Sequence, residues 1–230
     1  LAQVDASIGG KNGLNLDGYK NIIGNFNQPA FVLCSTEMLS TLPSEEVKNG
    51  LAEAVKHSLI DNRRMFNTIW DNADDIINMH NIDVVNKMIS HSVNVKAGIV
   101  NRDEAEEGER RKLNLGHTWG HALEKTTGIS HGRAVSIGMV FAARLSEHRG
   151  LLESEKRLRI TRLLKKLDLP VNSNTDPMAV LSALLKDKKR VSNHIHFVLL
   201  KNIGEVIVEP IPVDWLKAFV EDHKEDIPSF

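Results

Sequence analysis

In "LPSEEVKNGLAEAVKHSLI", Val47, Leu51, Val55 and Leu59 recur every four residues. That spacing lays one apolar stripe along an α-helix and suits no strand, whose faces alternate every second residue. Glu45 and Glu46 fall in the first turn, and Ser44 is placed to cap it. Similar patterns predict helices near 63–79, 83–101, 113–127, 132–149, 153–167, 176–186 and 213–222. Gly150 closes one of these, and Pro170 stops the chain after another. Residues 1–42 differ in character. "LAQV" and "AFVLCST" read as short strands around a glycine-rich, lysine-bearing stretch, while "HIHFVLL" and "EVIVEPI", joined by "KNIG", predict a late β-hairpin. The expected fold is mainly α, with an α/β remnant over 1–42 and a helical body over 43–230 that carries the hairpin.

A chain of 230 residues, 41% of them hydrophobic, can bury a sizeable core in one or two domains. Its 29 basic and 30 acidic side chains give no electrostatic case for nucleic acid or an anionic membrane. No apolar run approaches the roughly 20 residues a membrane helix needs, so neither partner is expected. Cys34 is the single cysteine, which excludes an internal disulfide and fits a reducing, cytoplasmic setting. The chain opens on Leu1, and "LAQVDASIGG" reads like a strand already under way, so a fragment of a longer protein is expected.

The chemistry concentrates in "LNLGHTWGHALE". His117 and His121 stand four apart and share one helix face, and His131 follows in "SHGRAV" where the next helix begins. A lone imidazole on such a face is commonly a satisfied core group. The pair together with His131 opens a second reading, metal ligation. Glu53, Lys56 and His57 share a face of the helix over 44–60, and one Glu with two His is a common open zinc set. Thr118 follows His117, so the H-E-x-x-H protease pattern is absent. Lys56 and Lys96 sit among apolar helix positions, where a charge requires a partner. Arg111 and Lys112, in contrast, read as a solvated face. A metal beside several cations suggests an anionic substrate held by Lys and Arg. The glycines of "SIGGKNG" do not form G-x-G-x-x-G.

Five blocks, "AQVDASIGGKNGLN", "GYKNIIGNFNQP", "TLPSEEVKNGLAEAVKHSLI", "LNLGHTWGHALE" and "HGRAVSIGM", resemble 3-dehydroquinate synthase in order and spacing over roughly residues 2–140. "KDKKR" and "HFVLLKNIG" match more loosely. The resemblance implies a two-domain enzyme, with a nucleotide-binding α/β domain ahead of a helical metal- and substrate-binding domain. It implies NAD and a divalent metal, zinc or cobalt, and a homodimer. The implied reaction converts 3-deoxy-D-arabino-heptulosonate 7-phosphate to 3-dehydroquinate by alcohol oxidation, phosphate elimination, ketone reduction and ring closure.

Carried over position by position, Glu53, His117 and His131 match the metal ligands. His121, Lys56, Lys96, Arg110 and Asn114 match catalytic groups around the substrate. Asp5 and Asn21 match substrate-facing positions, while Lys11 and Lys20 match the nicotinamide end of the cofactor site. Met38, Leu39, Ser40 and Thr41 align with a segment touching NAD, and Lys189, favoured over Lys188, should reach the substrate phosphate. Two departures stand out: most of the nucleotide-binding domain lacks a counterpart before Leu1, and "KTTGIS" replaces a longer loop. The rival readings are another sugar phosphate cyclase and a non-catalytic helical domain. A metal-dependent alcohol dehydrogenase is disfavoured by "GLAEAVK" and the paired lysines.

Overall fold

The computed structural model describes residues 1–16, 19–188 and 193–224, with side chains outside 15–22 and 187–192. The chain opens with a 3-10 turn, Ala2–Val4, and a hairpin of β1 (Lys11–Leu16) and β2 (Tyr19–Phe26). A second 3-10 segment, Thr36–Thr41, leads into α1 (Ser44–Asp61), α2 (Arg63–Asp71), α3 (Ala73–Ile77) and α4 (Ile82–Arg102). A third, Glu109–Asn114, precedes α5 (His117–Thr127), α6 (His131–His148), α7 (Ser154–Lys166) and α8 (Pro177–Lys188). The antiparallel pair β3 (His194–Asn202) and β4 (Glu205–Pro212) and a last helix, α9 (Val213–Asp222), follow.

The helical body and the late hairpin match the expectation. Ile195 pairs with Ile211 and Leu199 with Ile207, and Gly204 takes φ 88° in the turn. The N-terminal strands fall elsewhere than expected. "LAQV" is a 3-10 turn and residues 30–35 form no strand, whereas the glycine-rich stretch between them forms β1 and β2. A hairpin supplies its own ladder partners, Leu14 to Ile23 and Lys11 to Phe26. The two apolar runs find no neighbouring strand among the described residues, and an unpaired strand leaves its backbone polar groups unmatched. Two boundaries also shift. The helix expected over 63–79 breaks at Asn72, whose N–H still bonds Thr68 while its ψ of 26° leaves the helical range. Pro43, not Ser44, holds the N-cap of α1, and Ser44 lies within the first turn.

α6 is the central helix, and nearly all of its faces are buried. Val135 and Met139 join a core with Leu51, Val55, Leu59 and Phe66. Ile137, Phe141 and Leu145 join a second core with Trp119, Phe197 and Phe219, in which Trp119 stacks on Phe141 at 3.9 Å between ring centroids. α5 packs on α6 through glycines. A Cβ on Gly138 would stand 1.9 Å from the Gly116 carbonyl oxygen, so the two backbones are already in contact. Gly138→Ala must therefore part the helices, and a loss of about 3 kcal/mol is expected from overpacking backbone against backbone. Denaturant melting checks it; a loss under about 0.5 kcal/mol would contradict this packing.

Candidate metal and substrate site

The contact between α5 and α6 sets up the site. Gly116 adopts φ 79°, a left-handed conformation that a side chain resists, and a Cβ there would lie 2.8 Å from both Met139 Cγ and the Val135 carbonyl. The turn at Gly116 starts α5 at His117, next to the start of α6 at His131. Ring centroids of His117 and His121 are 5.2 Å apart, as are those of His117 and His131, and His121 lies 5.7 Å from His131. Glu53 meets them from the middle of α1.

Glu53 Oε1 is the point of convergence, 3.4 Å from His117 Nε2 and 3.3 Å from His131 Nε2. Two ligands of a tetrahedral ion at the usual zinc distances stand about 3.4 Å from one another. His117 Nδ1 lies 3.1 Å from the Leu115 carbonyl, which can only accept, so Nδ1 carries the proton and Nε2 turns a lone pair toward the carboxylate. His131 Nδ1 is backed in the same way by Glu124 Oε2 at 3.3 Å. Such outer partners fix the tautomer and orientation of metal-bound imidazoles. Both oxygens of Glu53 are buried; Oε1 faces the two imidazoles and Oε2 faces the Lys56 ammonium. Two imidazoles crowd one carboxylate oxygen at ligand-to-ligand spacing, and Glu53, His117 and His131 could hold a divalent ion in place of the protons between them. His117, His121 and His131 also form a possible donor trio, with ligand atoms within 4.8 Å of one another.

A third possible trio, Asp5, Glu53 and His57, is less suitable. Its carboxylates already face ammonium groups, with Lys56 Nζ 2.5 Å from Glu53 Oε2 and Lys96 Nζ 2.6 Å from Asp5 Oδ1. These are the partners that the lysines' apolar surroundings required. Burial alone would push the Glu53 carboxyl up, but Lys56 and then His117 hold it well below its usual value. Burial opposes the charge on Lys56 as well, yet Asp5 and Glu53 raise its pKa overall. On Lys96 burial prevails and the pKa falls. His131 is raised, chiefly by its bond to Glu53.

A cleft of about 500 Å³ opens beside the histidines, lined among others by Glu106, Arg111, Asn114, His117, His121 and His196. Arg110 is not among its lining residues. It is buried, and its guanidinium donates to the carbonyls of Gly9 (2.8 Å) and Glu104 (2.6 Å), stapling the N-terminal loop to the segment after α4. Lys11 is exposed and pairs with Glu106, which also accepts from Asn114 Nδ2 at 2.9 Å. In the 3-10 segment over 36–41 Leu39 is buried and Met38 exposed, while the Ser40 and Thr41 hydroxyls donate to Glu37 and Met38 carbonyls. The side chains of Lys20 and Asn21, and Lys189 altogether, lie outside the described residues.

Glu106 and Glu124 escaped the sequence reading, and His57 was named there only for the helix face it shares with Glu53 and Lys56. "NRDEAEEGERR" looks like a solvated acidic loop, and its one local signal is Asp103, whose carboxylate accepts the Glu107, Gly108 and Arg110 N–H groups. This knot turns Glu106, at φ 63°, back toward Lys11. Arg111, read as part of a solvated face, is exposed but also lines the cleft.

Residues 50–190 match the 3-dehydroquinate synthase C-terminal family, and residues 1–49 match the corresponding N-terminal family. A 3-dehydroquinate synthase of Dehalococcoides mccartyi is 44% identical over 90% of this chain and 58% of its own length. That of Pyrococcus abyssi is 43% identical over 94% and 63%, and that of Coxiella burnetii 41% over 96% and 64%. The chain thus spans about 58–64% of the length of these curated relatives. Among solved structures, 2-epi-5-epi-valiolone synthase from Streptomyces hygroscopicus, with NAD+ and Zn2+ bound, superposes with a TM-score of 0.87 at 25% identity. It covers 98% of this chain and 64% of that one. A 2-deoxy-scyllo-inosose synthase complexed with carbaglucose-6-phosphate, NAD+ and Co2+ gives 0.79 at 27% identity, over 96% and 64%. From the family matches and the identity to these synthases, the chain belongs to the 3-dehydroquinate synthase family.

Proposed function

We infer that this chain is the metal- and substrate-binding portion of a 3-dehydroquinate synthase, forming 3-dehydroquinate from 3-deoxy-D-arabino-heptulosonate 7-phosphate with release of phosphate. The observation that carries the reading is the convergence of Glu53, His117 and His131 beside the buried ammonium groups of Lys56 and Lys96. A bound divalent ion, zinc or cobalt, would supply Lewis acidity, and NAD a hydride acceptor and donor. His121 stands at the cleft beside the trio, placed to take or give a proton at a substrate oxygen. Lys56 and Lys96 favour the anionic groups of a phosphorylated sugar acid, Arg110 holds the N-terminal loop in place through the Gly9 and Glu104 carbonyls, and Asn114 offers an amide to the substrate hydroxyls. Asp5 positions the two lysines. Lys11, Lys20 and Met38–Thr41 would meet NAD, Asn21 the substrate and Lys189 its phosphate. Residues 1–42 are read as the end of the nucleotide-binding domain and 43–230 as the helical domain. No helix among the described residues is long and apolar enough to cross a membrane, and a cytoplasmic homodimer completes the reading.

Another sugar phosphate cyclase is the second reading, because the solved structures that superpose are such enzymes. The identity of 41–44% to 3-dehydroquinate synthases, against 25–27% to those cyclases, favours the first. Assays of the full-length protein with the heptulosonate phosphate and with a hexose 6-phosphate decide between them. Phosphate release from the first substrate alone is expected; release from the hexose alone would move the chain to the second reading.

A further inference from the structure

His57 follows Lys56 on α1 and is wholly buried, with both ring nitrogens lacking a hydrogen-bond partner. An apolar ring would fill the position without leaving two polar atoms unpaired, so an imidazole there needs a chemical reason. Its Nε2 faces Asp5 Oδ1 at 3.7 Å. That oxygen is the one Lys96 Nζ approaches to 2.6 Å and Lys56 Nζ to 3.9 Å. The hydroxyls of Ser7, two residues past Asp5, and Ser92, one turn before Lys96 on α4, are also buried and unpaired. Asp5 and Glu53 already balance Lys56 and Lys96, leaving no countercharge for a third cation. Burial, and next the Lys56 charge, push the His57 pKa down to about 3. A neutral imidazole donates an N–H without adding charge; lysine or arginine cannot.

We propose that His57 is a positioning residue, a neutral Nε2–H tautomer that directs its proton at Asp5 Oδ1 and fixes the carboxylate holding Lys96 and Lys56. A movement of under about 1 Å brings the pair to ordinary hydrogen-bond distance. Asp5 is then aimed from one side by a neutral donor and from the other by ammonium groups, which keeps both lysines in register with the substrate. The kinetic consequence rests on the synthase reading, whereas the tautomer does not.

The test uses the full-length, zinc-loaded protein. With nitrogen-15-labelled histidine, the His57 signal is assigned by its loss in His57→Gln, and an Nε2–H tautomer whose resonance moves in Asp5→Asn is expected. An Nδ1–H tautomer, or a resonance indifferent to Asp5→Asn, overturns the proposal. In kinetics, His57→Phe should lower kcat/KM about tenfold, the scale of one hydrogen bond, with metal content unchanged. His57→Gln, whose amide nitrogen can reach the Nε2 position, should recover most of it. Wild-type kcat/KM in His57→Phe, or equal losses in both variants, overturns the proposal. If His57→Phe does not fold, wild-type-like recovery in His57→Gln and the tautomer decide. A wild-type protein inactive on every sugar phosphate would defeat the synthase reading while leaving the tautomer measurement to judge His57.

Discussion

His117→Asn is expected to abolish metal retention and turnover together, whereas His121→Asn keeps the metal and loses turnover alone. The two imidazoles lie one turn apart on α5, yet they are held differently. His117 is buried, its Nδ1 anchored by the Leu115 carbonyl and its Nε2 aimed at Glu53. His121 is exposed and lines the cleft, its ring 5.2 Å from that of His117 and 5.7 Å from that of His131. Removing a ligand from a three-donor site should take zinc content from about one per chain to under about a tenth, and kcat down by 10³ or more, on the order of losing the Lewis acid. Removing a proton-handling group should lower kcat by about 10²–10³. Elemental analysis beside steady-state rates separates the two. Equal metal loss in both variants would contradict this division of roles and favour the all-histidine trio.

The second large effect separates residues 1–230 from a protein extended to the full length of its relatives. Purified alone, residues 1–230 should bind zinc through Glu53, His117 and His131 but turn over at under about 1% of the full-length rate, even at high NAD. The reaction proposed above needs NAD to take up and return a hydride, and among the described residues nothing forms a glycine-rich pyrophosphate cradle. The N-terminal region also presents apolar side chains to solvent: Phe31 is 80% and Leu33 83% exposed, and Leu14, Ile23 and Met38 are exposed as well. Covering each would contribute roughly 2 kcal/mol, so the isolated piece should also associate at micromolar concentration. Light scattering and paired rate measurements check both points. Comparable rates from the two proteins would show that the N-terminal boundary has been misread.

Helices were legible because their apolar spacing is local: Val47, Leu51, Val55 and Leu59 are all buried on α1. The late hairpin was legible for the same reason, since its two alternating runs and their turn are contiguous. The N-terminal strands were not, because "AFVLCST" has strand composition but no partner among the described residues, whereas a less apolar stretch pairs with itself. At the site, the i, i+4 histidines and the need of Lys56 for a partner could be seen from spacing. The meeting of Glu53 with His117 and His131 came only from the family resemblance, since it depends on how α1 lies against α6. Glu106 depended on a left-handed backbone and Asp103, and Glu124 on the approach of α5 to α6, none of which sequence spacing encodes.

The central claim is that one divalent ion sits on Glu53, His117 and His131. Crystals of the full-length protein grown with zinc, measured at the zinc absorption edge, test it directly. One anomalous peak is expected within about 2.0–2.2 Å of a Glu53 oxygen and of the Nε2 atoms of His117 and His131, with His121 outside that distance. A peak ligated by His117, His121 and His131 while Glu53 remains with Lys56, or no peak at the site, would contradict it.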